Sequence, residues 1–158
     1  MKVFYFLLFT FLFSCTKDYI RPQPFQITDD PENLTEQLLG SWKLYEQTSV
    51  PANDWDGDGK AETDMYTTYS ACQKEAGFTF QSNGKGLIKN SCTDTRAMNW
   101  KITNNSDDFN YQMETNGIFD NYRNNKVIQL NKNFFIVSGH LTTANGKTYS
   151  INSRYFRP

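Results

Sequence analysis

The sequence predicts an all-β protein, an antiparallel up-and-down barrel of about eight to ten strands behind a short N-terminal helix. Three observations carry this. After residue 40 the apolar residues alternate with polar ones at the strand period and no longer recur at helical spacing. The alternating runs are short and separated by turn formers, among them Ser82-Asn83-Gly84, Asn116-Gly117 and Asn145-Gly146. The runs follow one another as consecutive hairpins, and closing such a meander removes the unpaired edges that an open sheet would expose.

The chain begins with different material. Of residues 1–14, 11 are apolar and the only charge is Lys2. A charged start followed by the apolar run Val3 to Phe13 has the form of a secretory signal and is too short to span a bilayer. The run ends in Leu12-Phe13-Ser14-Cys15, which resembles the bacterial lipobox, in which the Cys becomes the lipidated first residue. Lipidation of Cys15 would supply two or more hydrophobic anchors, enough for stable attachment without a spanning segment. The expected address is the bacterial outer membrane, with the periplasmic and surface faces both open; Thr16-Lys17-Asp18 faintly resembles the export signal of Bacteroidota surface lipoproteins. Residues 16–30, with Pro22 and Pro24 and no periodicity, read as a tether. The expected organisation is therefore a signal peptide over 1–14, a lipid-anchored tether over 15–30 and one barrel domain over 31–158.

Asp30-Pro31-Glu32 opens the helix: Asp30 can cap it, Pro31 suits the first turn and Glu32 complements the dipole. Leu34, Leu38 and Leu39 form its apolar stripe and Gly40 ends it. Trp42 and Leu44 then alternate with Lys43 and Tyr45 as in a half-buried strand. Further strands are expected at Met65 to Ser70, Phe78 to Gln81, Gly86 to Lys89, Met98 to Thr103 and Phe109 to Met113. The last four are Ile118 to Tyr122, Val127 to Leu130, Phe134 to Leu141 and Thr148 to Phe156.

With Cys15 assigned to lipid, an exported chain most simply pairs the remaining Cys72 and Cys92 in a disulfide. Such a loop is worth about 3 kcal/mol in the chain-entropy account. No His or third Cys lies near enough in sequence to suggest a metal role for these thiols.

The sharpest chemical signal is the acidic run from Asp54 to Asp64. Carboxylates at alternating positions Asp54, Asp56 and Asp58, interleaved with Gly57 and Gly59, match the first half of a calcium loop. Lys60 would give its backbone carbonyl, Glu62 a direct or water-mediated ligand, and Asp64 would close the site, since Met65 stands where Glu ends the usual loop. Hard oxygen donors in number favour Ca²⁺ over Zn²⁺, and the expected role is structural. The competing reading is a solvated acidic turn between strands.

Charge and composition exclude several functions. With 16 Lys+Arg against 17 Asp+Glu there is no basic surplus for nucleic acid. No Gly-rich phosphate loop or nucleophile elbow occurs, and any His-based chemistry would rest on His140 alone, a residue expected to pack or hydrogen-bond on a strand; no enzyme activity is expected. The total hides two opposed regions: residues 15–120 carry all 17 acidic residues against 9 basic, whereas residues 121–158 carry six basic residues and no acid. In a meander these last strands are neighbours, which offers a basic face to an anionic head group or, equally, to solvent. Phe78, Phe80, Trp100, Phe109, Tyr111, Phe135 and Tyr155 alternate as barrel-interior residues would. They fill the core of a narrow barrel or line a ligand pocket in a wider one.

A short helix, then Gly40-Ser41-Trp42 at the first strand, then a meander resembles the lipocalin family and its Gly-x-Trp opening. The chain is more closely similar to the lipocalin-like domain lipoproteins of Bacteroidota. The order of Leu39-Gly40-Ser41-Trp42-Lys43-Leu44, an acidic Asp-Gly repeat, Cys72, the Phe78 to Gly84 hairpin, Cys92 and Trp100-Lys101-Ile102 carries that likeness over most of residues 34–158. The resemblance implies that Trp42 packs under an Arg from the end of the barrel, with Arg154 and Arg157 as candidates, and that a small apolar or amphipathic molecule is the ligand. The alternative is a solid barrel whose loops contact an envelope protein or glycan, with the partner unidentified.

Overall fold

The computed structural model describes residues 34–103, 108–121 and 123–158. The leader, Cys15, the tether, the capping residues Asp30 to Glu32 and the turn Asn104-Asn105-Ser106 lie outside the described residues.

The chain forms helix α1 (Leu34–Leu38) and strand β1 (Gly40–Asn53), then β2 (Glu62–Asp64), helix α2 (Met65–Thr68), a 3-10 turn at Gln73–Glu75 and β3 (Gly77–Phe80). There follow β4 (Lys85–Lys89), β5 (Thr95–Ile102), β6 (Asp108–Thr115), β7 (Ile118–Phe119), β8 (Arg123–Leu130), β9 (Phe134–Thr142) and β10 (Thr148–Phe156). The strands pair antiparallel in the order β10-β9-β8-β6-β5-β4-β3-β1, and β10 pairs with β1 from Lys43↔Phe156 to Val50↔Ser150. That last ladder closes an eight-strand antiparallel barrel, with β2 beside β1 and β7 beside β6 as additional strands. Among the described residues no helix is long and apolar enough to cross a membrane.

The two ends of the barrel differ. At the closed end, where β1 starts, α1 contacts β5 and β8 and inserts Leu38, which is fully buried. Trp42 is buried beneath it and donates its indole Nε1–H to the Leu38 carbonyl at 2.7 Å. Arg157 caps the same ring, its guanidinium 4.5 Å from the Trp42 centroid, and donates to the Gln37 carbonyl at 2.7 Å. Of the two candidates it is thus Arg157 that stacks; Arg154 turns outward to an ion pair with Glu46 at 3.0 Å. At the opposite end, the mouth, the connections β1–β3, β4–β5, β6–β8 and β9–β10 gather.

Several expectations are corrected. The run Met65 to Ser70 is not a strand: Asp64 accepts from the Thr67 backbone N–H at 3.2 Å, and this N-cap turns the chain into α2. Of the expected strand Ile118 to Tyr122, Ile118–Phe119 forms the second arm of an Asn116-Gly117 hairpin with positive φ at both residues, after which the Asp120 side chain accepts from the Met113 N–H; Tyr122 lies outside the described residues. His140 is exposed and not packed, since it lies on the outer face of β9 near the mouth. The basic C-terminal strands are adjacent as expected, yet Arg123 pairs with Asp120, Arg154 with Glu46 and Arg157 stacks on Trp42, which spends half of that charge locally.

Two glycines are demanded by closeness. A Cβ on Gly77 would stand 2.2 Å from the Trp42 carbonyl oxygen, and one on Gly86 2.2 Å from that of Thr79. Both let neighbouring backbones approach where the barrel curves.

Candidate functional site

The interior is divided into a packed closed half and an open mouth. Phe80, Trp100 and Phe135 do not line the cavities described below. They interlock with Trp42 and Phe109 at centroid separations of 5.0 to 6.0 Å, mostly edge to face. Rings of this size fill an eight-strand barrel on their own, so these positions are core. Trp100 is further fixed by donating its indole N–H to the Lys85 carbonyl at 2.8 Å.

Phe78, Phe109, Tyr111 and Tyr155 instead face a cavity of about 450 Å³ at the mouth. Val137, Leu141 and Ile151 add aliphatic wall, and Gln47, Tyr69 and Ser153 add a polar one. A smaller recess of about 280 Å³ shares Gln47, Tyr69, Phe78, Tyr111 and Tyr155. Floor and rim thus belong to different chemistries: stacked rings below, hydrogen-bonding groups above.

The polar wall is built as a chain. Tyr69 donates its hydroxyl to Gln47 Oε1, and Gln47 Nε2 donates to Ser153 Oγ at 2.7 Å. Burial pushes the Tyr155 hydroxyl far above the ordinary tyrosine range, and neighbouring Tyr111 adds to it, so Tyr155 stays a neutral donor. Burial raises Tyr111 as well, with Arg123 beside it acting in opposition. Arg123 itself is held by Asp120 at 2.9 Å; burial works against the Asp120 charge, but the Met113 N–H and Arg123 outweigh it and hold that carboxyl below its usual range.

The β1–β3 connection, residues 54–76, lies at the mouth. Its α2 buries Met65 and brings Tyr69 to the cavity. The disulfide Cys72–Cys92 ties this segment to the β4–β5 loop, and Cys92 N–H donates to the Cys72 carbonyl at 3.1 Å. The pairing is the one expected from the cysteine count.

The acidic loop opens the same connection. One ligand atom each from Asp54, Asp56, Asp58 and Glu62 can lie within 4.8 Å of one another. The loop is held in turn form by Asp54, which accepts from Gly57 N–H at 2.7 Å and Gly59 N–H at 2.9 Å, with φ of 83° and 88° at those glycines. Only residues tolerant of the left-handed region suit those positions. Asp64 does not join the group, since it caps α2; Lys60 brings its ammonium to Asp58 at 3.2 Å. Trp55, which the spacing did not single out, fastens the loop to the barrel. Its indole donates to Ser49 Oγ at 2.9 Å and meets Tyr149 edge to face at 5.0 Å, while its backbone N–H donates to Glu62 at 3.2 Å.

Neither a family of known proteins nor any curated protein matches the sequence. Among solved structures, the chain is similar to a bovine odorant binding protein, a deswapped triple mutant, at TM-score 0.45 and 8% identity over 77% of this chain and 74% of that one. It is also similar to bovine odorant binding protein in complex with a selenium-containing odorant, at TM-score 0.43 and 8% identity over 86% and 77%. The assignment of the fold rests on the β10–β1 closure and not on these likenesses.

Proposed function

We propose that this chain is a lipid-anchored envelope lipoprotein whose lipocalin-like barrel binds a small apolar or amphipathic molecule, with a calcium ion fastening the mouth connection. The observation that carries the ligand reading is the mouth cavity of about 450 Å³, which falls in the range of about 300–1,000 Å³ usual for small-molecule pockets. Its ring-lined floor suits an apolar body and its Gln47, Tyr69 and Ser153 wall suits a polar group. The packed closed half leaves the mouth cavity as the interior space for an apolar body. Cys15 would hold the barrel at the outer membrane through the tether of residues 16–30.

Native mass spectrometry of the purified full chain tests this directly. A non-covalent adduct of lipid mass that Tyr155→Trp removes supports the reading, and a bare chain that also fails to enhance N-phenyl-1-naphthylamine fluorescence refutes it.

The donor set of Asp54, Asp56, Asp58 and Glu62 fits Ca²⁺, a hard cation that neutralises clustered carboxylates. A ligand bound only by the native state stabilises by mass action, about 2.7 kcal/mol at about 100 times Kd. Adding Ca²⁺ after chelation should therefore raise Tm by about 8 °C, and Asp56→Asn with Asp58→Asn should abolish the rise. An unchanged Tm in the parent chain identifies the segment as a solvated acidic turn.

A further inference from the structure

The ladder between β8 and β9 runs from Leu130↔Phe135 to Lys126↔Ser138 and stops there. Beyond that point each strand keeps only its other neighbour: Asn124 and Arg123 pair with Asn110 and Tyr111 on β6, while Gly139 to Thr142 pair with Ile151 to Thr148 on β10. The barrel wall is thus unzipped toward the mouth along this seam, as it also is between β5 and β6 beyond Met98↔Met113. The Asn125 amide lies across it, with Oδ1 2.1 Å from where a Cβ on Gly139 would stand, and its Nδ2 is buried without a partner among the described residues.

Two concavities meet at the seam. Inside is the mouth cavity; outside is a groove of about 570 Å³ between β5, β6, β8 and β9. Asn124, Asn125, Gly139 and His140 line both. The inner side is ring-floored, whereas among the described residues the ionisable lining of the groove is Lys101, Lys126 and His140 against Asp108, which stands across the ladder from Lys126. Asn110 and Ser138 add polar groups. Among the described residues the groove therefore carries a positive balance, beside a cavity with a ring-lined floor. At the mouth itself the nearest cation, Arg123, is already neutralised by Asp120 at 2.9 Å.

We infer that the β8–β9 seam is a subsite for the anionic head of a single-chain amphiphile, with Lys126 and His140 facing the head and the tail passing Gly139 into the barrel. This rests on the reading of the barrel as a ligand carrier and assigns the ligand its class, one unbranched chain ending in a carboxylate or phosphate. The unpaired ladder positions let a chain cross the wall without breaking backbone hydrogen bonds once the Asn125 side chain, which fills the gap at Gly139 and whose Nδ2 has no partner to lose among the described residues, turns aside.

The test is displacement of N-phenyl-1-naphthylamine from the full chain by decanoate, decyl phosphate, decyltrimethylammonium and 1-decanol. Decanoate or decyl phosphate should compete about tenfold better than decyltrimethylammonium, a difference of one favourable charge contact. Lys126→Glu should erase that preference while 1-decanol competes unchanged, which shows the barrel intact. Comparing decanoate with decyl phosphate separates a carboxylate from a phosphate head. Equal competition by the anion and the cation overturns the inference and leaves carriage standing. Nuclear Overhauser contacts of the decanoate α-methylene provide the second readout. Contacts to Ser138 and His140 support the seam; contacts to Tyr69 and Leu141 place the head at the mouth and overturn it. No displacement by any of the four compounds refutes carriage and the seam together.

Discussion

Trp42→Ala is expected to destabilise the barrel by about 3–5 kcal/mol, the range for deleting a large buried ring that leaves a cavity. Trp42 is 2% exposed, packs on Phe135 at 5.8 Å and bonds α1 through Leu38. Its removal also strands Arg157, whose guanidinium then covers nothing. Against a total stability of about 5–15 kcal/mol, such a loss removes much of the margin. Urea denaturation measures it as a lower midpoint at constant slope. Arg157→Ala should cost about 0.5–2 kcal/mol, the size of a cation–π contact. A Trp42→Ala midpoint close to that of the parent would mean that the closed end is not the keystone of the barrel.

Replacing Cys72 and Cys92 together by Ser should cost about 3 kcal/mol, because an unbridged unfolded chain regains the loop entropy of a 20-residue separation. Beyond this global loss, the mouth should also open locally. Amide exchange across residues 65–76 should accelerate by more than the fall in overall stability accounts for, whereas amides of β8 to β10 follow only that fall. Reductant added to the parent chain should reproduce the double variant, and an unchanged Tm in both would show that the connection is held by Met65 and Trp55 without the bridge.

Much of the frame was legible because strand physics is local. Alternation in β10 puts Tyr149, Ser153 and Tyr155 on one buried face, so Ser153 was readable as inward from its neighbours alone. Gln47 was not readable in that way. A register shift between Leu44 and Glu46 in the β1–β10 ladder changes the alternation that Trp42 and Leu44 begin, and Ser49, fully buried, follows the new phase. The helix α2 was missed for the opposite reason: Met65 to Ser70 has aromatic and Thr residues suited to a strand, and a single side-chain cap from Asp64 prevailed over that propensity. The same cap removed Asp64 from the acidic group.

By itself the sequence determined the class of the fold, the disulfide, the Gly-x-Trp opening and the clustering of Asp54, Asp56 and Asp58, since each depends on period, count or spacing along one chain. Only the tertiary structure decided which Arg covers Trp42 and which aromatic residues are core or cavity wall. It alone placed the end of the β8–β9 ladder. Those outcomes depend on where closure brings distant strands together, and a barrel of fixed circumference leaves room for rings at one end and for a cavity at the other.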